Sequence, residues 1–376
     1  MPPHTGHRRM SDAATIPCGT VRIALPGEAP RCQSAAMDDL ERIRAHVAGR
    51  PVDRLPVQPL IMQFAARQAG IHYNDYVTDG RRLAEAQIRM ADDFGIDCLM
   101  TCSDPARELI DIAGDASVEW ADSGPAIVES RAALVDKERL AELRVPDPMA
   151  PGRMRERVES IGIMRAEAGP GASIVGWVEG PLALAAEMRG LSALMMDTYE
   201  DPGFLEDLFD FTSSVGMAYW KPQVEAGADT IGMSDAAASM MSLQHYQRFV
   251  YPAQRRVVED IKSTRPDVIV RIHMCGATDH LLETMKELPA DVWELDYPVD
   301  LAHARDVLGP DRVILGNVST VEEMLTGTPE EVYEAAAECH RLCGPRHIVG
   351  TGCEVSPETP PENVRALVAY ARAHAP

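Results

Sequence analysis

The sequence predicts an α/β fold, and three observations lead to that prediction. Short apolar segments rich in Val and Ile recur along the chain, and a stretch with the apolar spacing of an amphipathic helix follows each one. Strands that alternate with helices form right-handed βαβ units and a parallel sheet. The apolar segments number eight, which is the strand count of a (β/α)8 TIM barrel. A doubly wound open sheet shows the same local alternation, so the strand count alone favours the barrel.

The predicted elements follow one another along the chain. Residues 37–49 have apolar side chains at helical spacing, and Gly49 is suited to end that helix. The longest helical patterns after it are residues 81–94, 246–263 and 330–342. The predicted strands are residues 57–62, 97–101, 173–178, 229–233, 268–273, 292–296, 312–317 and 347–351.

Two segments fall outside the regular alternation. Residues 1–36 carry Pro, Gly, Ser and Thr without a sustained period, which predicts a poorly ordered, irregular N-terminal extension. Residues 102–172 are more than one crossover needs, so we expect an insertion with extra strands or helices between early strands. No low-complexity linker divides the remainder, and residues 37–376 are therefore predicted to form a single catalytic barrel domain.

Composition and charge argue against several functions. The chain has 36 Lys and Arg against 58 Asp and Glu, a net charge of −22, which argues against nucleic-acid and anionic-membrane partners. No apolar run reaches the roughly 18–20 residues that span a bilayer. The basic residues near the N-terminus have no apolar segment behind them, so no secretory signal is predicted and a cytoplasmic location is expected. Eight cysteines in 376 residues are too few for a disulfide scaffold.

His273 and Cys275 follow an apolar segment and form the sharpest local feature of the sequence. Alternate residues of a strand point to the same face, so these two side chains point together, and at the end of a barrel strand they can face the mouth. Imidazole nitrogen and thiolate sulfur are good zinc ligands. The triplet alone is a weak signal, because buried His and Cys are common in protein cores.

Cys353 supplies a second thiol, just past the last predicted strand. It ends the segment Gly350-Thr351-Gly352-Cys353, in which the two glycines let the backbone and the sulfur approach a common centre closely. The carboxyl ends of all barrel strands face one mouth, so its distance in sequence from Cys275 is no obstacle. The second thiol therefore strengthens the indication of a metal site.

Glu294 and Asp296 lie on the intervening strand and share one of its faces. Either carboxylate could complete a tetrahedral site as an oxygen ligand, and one of them could instead orient His273 through a hydrogen bond. We favour Asp296 as the fourth ligand, because it lies nearer the carboxyl end of the strand.

Seven segments of the chain carry a resemblance to a known family: WVEGPLALAAEMRG, GADTIGMSDAAASMMSLQHYQRFVYP, RIHMCG, ELDYPVDLAHAR, VILGNVST, GTPEEV and GTGCEVSPETPPENVRALV. They resemble the uroporphyrinogen decarboxylase superfamily. More specifically, they resemble its branch of zinc-dependent methylcobamide:thiol methyltransferases of the coenzyme M type. The resemblance covers the chain from about residue 37 to the C-terminus and implies a TIM barrel.

The resemblance implies a zinc ion held by an H-x-C…C motif, which maps onto His273, Cys275 and Cys353. A similar site in cobalamin-independent methionine synthase has a carboxylate on the next strand, which by analogy indicates Asp296. A methyl group would move between a corrinoid and a thiol or related small-molecule acceptor, in either direction. No D-x-H-x-x-G motif of corrinoid-binding domains is present, so the corrinoid would be free cobalamin or be carried by a separate protein. Barrels of this kind often form homodimers.

Zinc explains why such a site would suit a thiol substrate. A thiol with a pKa of about 8.5 is mostly protonated at neutral pH, and coordination to zinc removes that proton. Two cysteine thiolates on the metal would leave a bound substrate thiolate nucleophilic towards methyl-cobalt. An open fourth position, or a displaceable carboxylate, would make the site catalytic rather than structural.

Two alternatives remain open. A decarboxylase of a carboxylated tetrapyrrole belongs to the same superfamily, and Arg67-Gln68-Ala69-Gly70 matches part of that branch's signature. However, Ile71 stands where that branch has an arginine and Cys353 where it has a histidine, and such a substrate needs several arginines at the mouth. Those departures favour the methyltransferase. A non-catalytic, zinc-holding barrel subunit of a methyltransferase complex would share every motif.

Three further residues are candidates for the site. Glu179 and Asp235 follow strand ends, and each is predicted to be catalytic, by binding polar groups of the substrate or by taking a proton. Asn317 is a candidate cofactor-binding residue. Capping a helix or bridging a loop is an equally common role for such side chains.

Most cysteines outside the predicted metal site are expected to be core residues. Cys339 and Cys343 lie four apart on one helix, which is typical of core packing. Cys98 is expected in the core, whereas Cys102 could touch the mouth.

Overall fold

The computed structural model describes residues 36–376, so the predicted N-terminal extension lies outside the described residues except for its last position. Among these residues, seven strands pair in chain order in one parallel sheet, and two more form an antiparallel ribbon. The ribbon consists of β2 (Val118–Ala121) and β3 (Gly124–Ile127). The parallel strands are β1 (Leu99–Met100), β4 (Ile174–Glu179), β5 (Thr230–Ser234), β6 (Ile269–Met274), β7 (Val292–Leu295), β8 (Val313–Leu315) and β9 (His347–Ile348).

Helices separate the parallel strands, as the βαβ pattern predicts. The α-helices are α1 (Asp39–Val47), α2 (Gln63–Ala69), α3 (Tyr73–Thr78), α4 (Gly80–Phe94), α5 (Ala106–Ala113), α6 (Arg153–Ala168), α7 (Pro181–Arg189), α8 (Leu191–Glu200), α9 (Pro202–Ala226), α10 (Leu243–His245), α11 (Tyr251–Thr264), α12 (Leu282–Met285), α13 (Leu301–Leu308), α14 (Pro329–Cys343) and α15 (Pro361–Ala373). The 3-10 turns are Glu129–Arg131, Lys137–Glu142, Ala238–Met240, Asp279–Leu281 and Gly344–Arg346, and a π-helical turn covers Tyr246–Val250. The three long helical patterns are confirmed by α4, by α11 with the π-helical turn before it, and by α14.

The barrel closes through a segment that is not a regular strand. Val57 bridges to Val349 and Leu60 bridges to Glu354, both in parallel, and the Asp97 N–H donates to the Val57 carbonyl at 2.9 Å. This segment therefore lies between β9 and β1, at the position expected for the first of eight strands. The prediction of a continuous strand over 57–62 is wrong, because Pro56 and Pro59 have no N–H to donate and interrupt the ladder.

The other seven predicted strands are confirmed, although β1 and β9 are only two residues long. Their side chains are buried on both faces, because the barrel interior covers one face and the helices cover the other. The insertion is also confirmed. Between β1 and β4 the chain forms α5, the ribbon β2–β3 and α6, in place of a single crossover helix.

The architecture fixes where chemistry can take place. The parallel strands β4, β5, β6 and β7 end at Glu179, Ser234, Met274 and Leu295, which brings the residues after them to one mouth. In the register, His273 of β6 pairs with Ser234 of β5 on one side and Glu294 of β7 on the other. No helix within residues 36–376 combines the length and apolar character that crossing a bilayer requires.

Candidate metal centre and substrate cavity

The barrel mouth brings three predicted ligands together. His273 lies near the end of β6, Cys275 follows two residues later, and Cys353 lies in the loop after β9. The Nε2 atom of His273 is 3.3 Å from Cys275 Sγ and 3.9 Å from Cys353 Sγ, and the two sulfurs are 3.8 Å apart. All three ligand atoms lie within 4.8 Å of one another.

These distances agree with a tetrahedral zinc site. Zn–S bonds of about 2.3 Å and Zn–N bonds of about 2.0–2.1 Å at tetrahedral angles place two sulfurs about 3.8 Å apart, and a sulfur and a nitrogen about 3.6 Å apart. The observed sulfur–sulfur separation of 3.8 Å matches, and the two sulfur–nitrogen separations, 3.3 and 3.9 Å, lie on either side of the ideal value. One ion can therefore contact all three atoms with little movement of the side chains.

Two glycines allow the loops to approach this closely. Gly276, directly after Cys275, has a φ of +82°, and a Cβ there would lie 2.5 Å from Ser239 Oγ. A Cβ on Gly352 would lie 2.2 Å from the Tyr297 nitrogen. The loop that carries Cys353 can therefore pack against the backbone after β7 only because residue 352 has no side chain.

Glu294 lies beside the imidazole and faces its Nδ1 atom. Its carboxylate accepts hydrogen bonds from the Arg271 guanidinium, including one from Nε at 2.7 Å, and its Oε2 lies 3.5 Å from His273 Nδ1. Burial disfavours the charged imidazole, but the adjacent Glu294 raises the pKa of His273 overall. A proton on Nδ1 that faces this carboxylate leaves the Nε2 lone pair directed at the two sulfurs, which is the tautomer a metal requires.

Asp296, the predicted fourth ligand, is not part of the group. Its Oδ2 accepts a hydrogen bond from the Gly276 N–H at 2.6 Å and its Oδ1 accepts one from the Tyr297 N–H at 2.7 Å. Both oxygens are thus used to hold the loops that follow β6 and β7. Asp296 as a fourth ligand stays a prediction: of the two carboxylates on β7 and its loop, Glu294 contacts the imidazole, and neither carboxylate joins the three ligand atoms.

The two thiols affect each other's ionisation. The contact with the Cys275 sulfur, together with His273, lowers the pKa of Cys353 to about 4. The same contact with Cys353, together with burial, raises the pKa of Cys275. Two thiolates this close repel each other, so a cation would be needed for both to ionise together.

A cavity of about 300 Å³ opens onto the three ligands. It is lined by Leu60, Met62, Gln63, Tyr73, Cys102, Ser103, Asp104, Pro105, Ser123, Pro125, Trp177, Glu179, Ser234, Ala236, His273, Cys275, Cys353 and Glu354. Ser123 and Pro125 belong to the ribbon β2–β3 and its turn, so the insertion forms part of the cavity wall. A volume of this size suits a small ligand, since ligand pockets commonly occupy about 300–1,000 Å³.

Glu179, predicted to be catalytic, lines the cavity at the end of β4. Its Oε1 lies 3.7 Å from an Arg107 nitrogen that already donates to Glu108 Oε1 at 3.1 Å. Burial and the neighbouring Glu108 raise the pKa of Glu179 well above its usual range. Glu187 lies in the same acidic region, and burial and Glu179 likewise raise its pKa.

Asp235, also predicted to be catalytic, does not line the cavity. Its Oδ1 accepts a hydrogen bond from the Ala183 N–H at 2.9 Å, and its Oδ2 accepts one from the Gln254 side chain. The carboxylate thereby caps the first turn of α7 and is 1% exposed, while burial raises its pKa to about 6. A capping role accounts for these contacts, and the catalytic role of Asp235 stays a prediction.

Asn317, predicted to bind a cofactor, also lies outside the cavity. Its side-chain amide donates to the Asp296 and Val299 carbonyls, both at 3.0 Å. Cys339 of α14 donates to its Oδ1 at 3.7 Å. Asn317 therefore stabilises the loop after β7, and cofactor binding by this residue stays a prediction.

Sequence reasoning missed several residues in the cavity wall and beside it. Tyr73 and Trp177 give no local signal, because apolar and aromatic residues at helix and strand positions usually belong to the core. Glu354 follows Cys353 directly and could have been noticed; its carboxylate accepts the Gln63 N–H at 2.8 Å, and burial raises its pKa to about 7. Arg271 lies two residues before His273 in an apolar strand, where a charge needs a buried partner.

The remaining cysteines of the described part of the chain are not close enough to join the centre. Cys98, Cys339 and Cys343 are buried in the apolar core, as predicted, and Cys102 lines the cavity. Cys18 and Cys32 lie outside the described residues.

Comparison with known proteins identifies the family. Residues 38–374 match the family of uroporphyrinogen decarboxylase (URO-D), and this chain belongs to that family. Among its relatives are enzymes of two activities, so family membership leaves the reaction open.

Three relatives illustrate this range. The chain is 30% identical over 251 residues to a uroporphyrinogen decarboxylase of Prochlorococcus marinus, an alignment that covers 64% of this chain and 70% of the relative. It is 25% identical over 341 residues to a methylcobamide:CoM methyltransferase of Methanosarcina barkeri, with 87% and 96% covered. A solved methyltransferase from Methanosarcina mazei superposes with a TM-score of 0.81 at 22% identity, covering 90% of this chain and 98% of that one, and this likeness shows the fold.

Proposed function

We propose that this protein is a zinc-dependent methyltransferase that moves a methyl group between a corrinoid and a small-molecule thiol. The observation that carries the proposal is the group of His273 Nε2, Cys275 Sγ and Cys353 Sγ, whose separations suit one tetrahedral ion and which faces a cavity. Three protein ligands and access for a fourth are typical of a catalytic zinc site, whereas structural sites use four protein ligands.

The residues of the chain have distinct roles in this proposal. When bound, zinc would supply Lewis acidity that holds a substrate sulfur as a thiolate. Cys275 and Cys353 contribute negative charge to the site, and that charge maintains the nucleophilicity of a sulfur held beside them. His273 contributes a neutral nitrogen, and Glu294 fixes its orientation.

The transfer itself exchanges one bond for another. The substrate sulfur forms a bond to the methyl carbon, the cobalt–carbon bond breaks, and its electron pair remains on cobalt. The thiol proton leaves through the cavity to solvent. The reverse sequence would demethylate a methylated sulfur compound, and the geometry favours neither direction.

The corrinoid would act as a second substrate. The sequence has no D-x-H-x-x-G motif with which to bind it permanently, so we propose free cobalamin or a separate corrinoid protein as the partner.

Decarboxylation of a carboxylated tetrapyrrole is less well supported by the described residues. The arginine of the partial signature, Arg67, has a side chain that is 62% exposed and lies 3.4 Å from Glu358, away from the cavity. No Lys or Arg of residues 36–376 lines the cavity. Recognition of several carboxylates requires such cations.

Methyl transfer from methylcobalamin to a panel of small thiols tests the proposal. We expect transfer by the zinc-loaded protein and its loss when a chelator removes the metal, with recovery on adding zinc. Release of carbon dioxide from a porphyrinogen without added metal would contradict the proposal in favour of decarboxylation. Bound zinc without transfer to any thiol would instead support a non-catalytic subunit.

A further inference from the structure

We propose that the cavity selects a thiol, or its methylated form, that carries a positively charged group, and that Glu179 binds this group. The inference rests on the proposed function and adds the class of substrate. Its basis is the distribution of charge around the cavity.

The walls of the cavity are acidic. Asp104, Glu179 and Glu354 line it, and within residues 36–376 no Lys or Arg does. An anionic tail that entered this cavity would lose its hydration and find no cation in the described residues to replace it. A cationic tail would find carboxyl groups instead.

The arginines behind the cavity walls already form ion pairs with carboxylates of the protein. Arg153 holds Asp104 through two hydrogen bonds, both at 2.8 Å, so that carboxylate is neutralised within the protein. Arg271 is held in the same way by Glu294. These guanidinium groups would have to break buried ion pairs to reach a ligand, at a high cost in free energy.

Glu179, unlike Asp104, has no guanidinium group to itself. Its nearest guanidinium, that of Arg107, lies 3.7 Å away and is shared with Glu108, which lies closer. Glu187 adds a third carboxyl group, and one oxygen each of Glu108 and Glu187 has no hydrogen-bond partner among the described residues. Glu108 and Glu179 therefore share one guanidinium, Glu187 has no ion pair among the described residues, and a positively charged ligand would correct this imbalance.

The shape and the aromatic lining of the cavity suit the same ligand. Trp177 and Tyr73 line it together with Glu179, and aromatic faces attract ammonium groups. The thiol end of the ligand would reach His273, Cys275 and Cys353 in the same cavity, while the charged end would lie against Glu179. A volume of about 300 Å³ accommodates a short chain between the two.

Three thiols of equal chain length provide the test: cysteamine, 2-mercaptoethanol and 2-mercaptoethanesulfonate, which differ only in a cationic, neutral or anionic end. Binding of each to the zinc-loaded full-length protein is measured by calorimetry at neutral pH, and methyl transfer from methylcobalamin is measured separately. We expect cysteamine to bind about tenfold or more tightly than the sulfonate, with the alcohol between them.

Variants test whether Glu179 causes the preference for cysteamine. Glu179→Gln should reduce the cysteamine preference to about threefold or less, and Glu179→Asp should retain the order. Glu287→Gln makes the same change of charge at an exposed position that does not line the cavity and should leave the order unchanged. Circular dichroism confirms that each variant is folded.

The outcomes separate the two proposals. Equal or tighter binding of the sulfonate, or an unchanged preference in folded Glu179→Gln, overturns the inference. Binding in the expected order without methyl transfer to any thiol contradicts the proposed function and leaves the assignment of Glu179 supported.

Discussion

At the amino-terminal end of the barrel buried charges are paired with one another, whereas at the mouth three ligand atoms face a cavity. Asp97, just before β1, accepts hydrogen bonds from Arg54 at 2.7 Å and from the Val57 N–H at 2.9 Å. Two other aspartates repeat this arrangement. Asp229, just before β5, pairs with Arg165 and the Ile174 N–H, and Asp291, just before β7, pairs with Lys262 and the Val270 N–H.

The comparison separates polar groups that hold the barrel from those that could hold a ligand. Each of the three aspartates accepts from the backbone of a neighbouring strand segment and from a basic side chain, so its charge is balanced by the protein alone. The groups at the mouth, in contrast, include two adjacent thiols and an acidic wall whose carboxyl groups outnumber the cations. Substitutions at one end should therefore change stability, and those at the other should change ligand binding.

Loss of the metal should be the largest effect. Cys353→Ala removes one of three protein ligands, and we expect bound zinc to fall from about one ion per chain to almost none, together with methyl transfer. Cys339→Ala, on α14 and away from the three-ligand group, should retain the metal. Metal analysis of both purified variants makes the measurement. A zinc content in Cys353→Ala equal to that of the control would contradict the three-ligand site.

Loss of a paired charge at the amino-terminal end should lower the stability of the protein and leave its zinc content unchanged. Asp97→Asn leaves Arg42 and Arg54 beside a neutral side chain, and breaking a buried ion pair costs about 3–5 kcal/mol in the free energy of unfolding. Zinc content and thiol binding should be unchanged in the folded fraction. Denaturant titration and metal analysis of the same sample test both statements, and a stable protein that had lost its zinc would contradict the separation of the two ends.

His347 predicts a smaller effect that depends on pH. Burial lowers the pKa of His347 from 6.5 to about 4, and its Nε2 contacts the Gly316 carbonyl oxygen. Above about pH 6.5 the imidazole is neutral in the folded and the unfolded chain. As the pH falls from 6.5 to 4, the unfolded chain takes up a proton that the folded chain does not, so the folded state loses about 3 kcal/mol over this window.

His347→Gln should make this loss of stability shallower. The free energy of unfolding is measured between pH 7 and pH 4 for the parent and the variant. His303→Gln, at an exposed position, is the matched control and should follow the parent. Parallel curves for the parent and His347→Gln would show that the proton uptake occurs elsewhere.

Asp235 should show the smallest effect, and it tests a residue that lies near the mouth without facing it. Asp235→Asn weakens the cap of α7 and the contact with Gln254, and we expect a loss of about 1–2 kcal/mol in stability. The order of thiol affinities should not change. A selective loss of cysteamine binding in this variant would return Asp235 to the substrate site.

The fold could be predicted from the sequence because each strand is short, apolar and followed by a helix of clear period. The exception, residues 57–62, has the apolar composition of a strand, but Pro56 and Pro59 prevent a regular ladder. The apolar pattern of a segment indicates that it is buried. Whether a buried segment forms a strand also depends on which backbone N–H groups are available for hydrogen bonds.

The candidate site was predictable in part. Alternation along β6 placed His273 and Cys275 on one face, and the common mouth of a barrel accounted for Cys353. The roles of Glu294 and Asp296 could not be distinguished, because both lie on the same face of β7 and its loop and the difference arises from their partners. Arg271 holds one carboxylate, and two backbone N–H groups hold the other. Such partners come from distant parts of the chain and leave no local signal.

X-ray absorption at the zinc edge of the metal-loaded protein tests the central claim most directly. The account predicts two sulfur neighbours at about 2.3 Å and one imidazole nitrogen at about 2.0–2.1 Å. Addition of cysteamine should bring a third sulfur to the metal. A shell without sulfur, or a sulfur count that does not change when the thiol is bound, would contradict it.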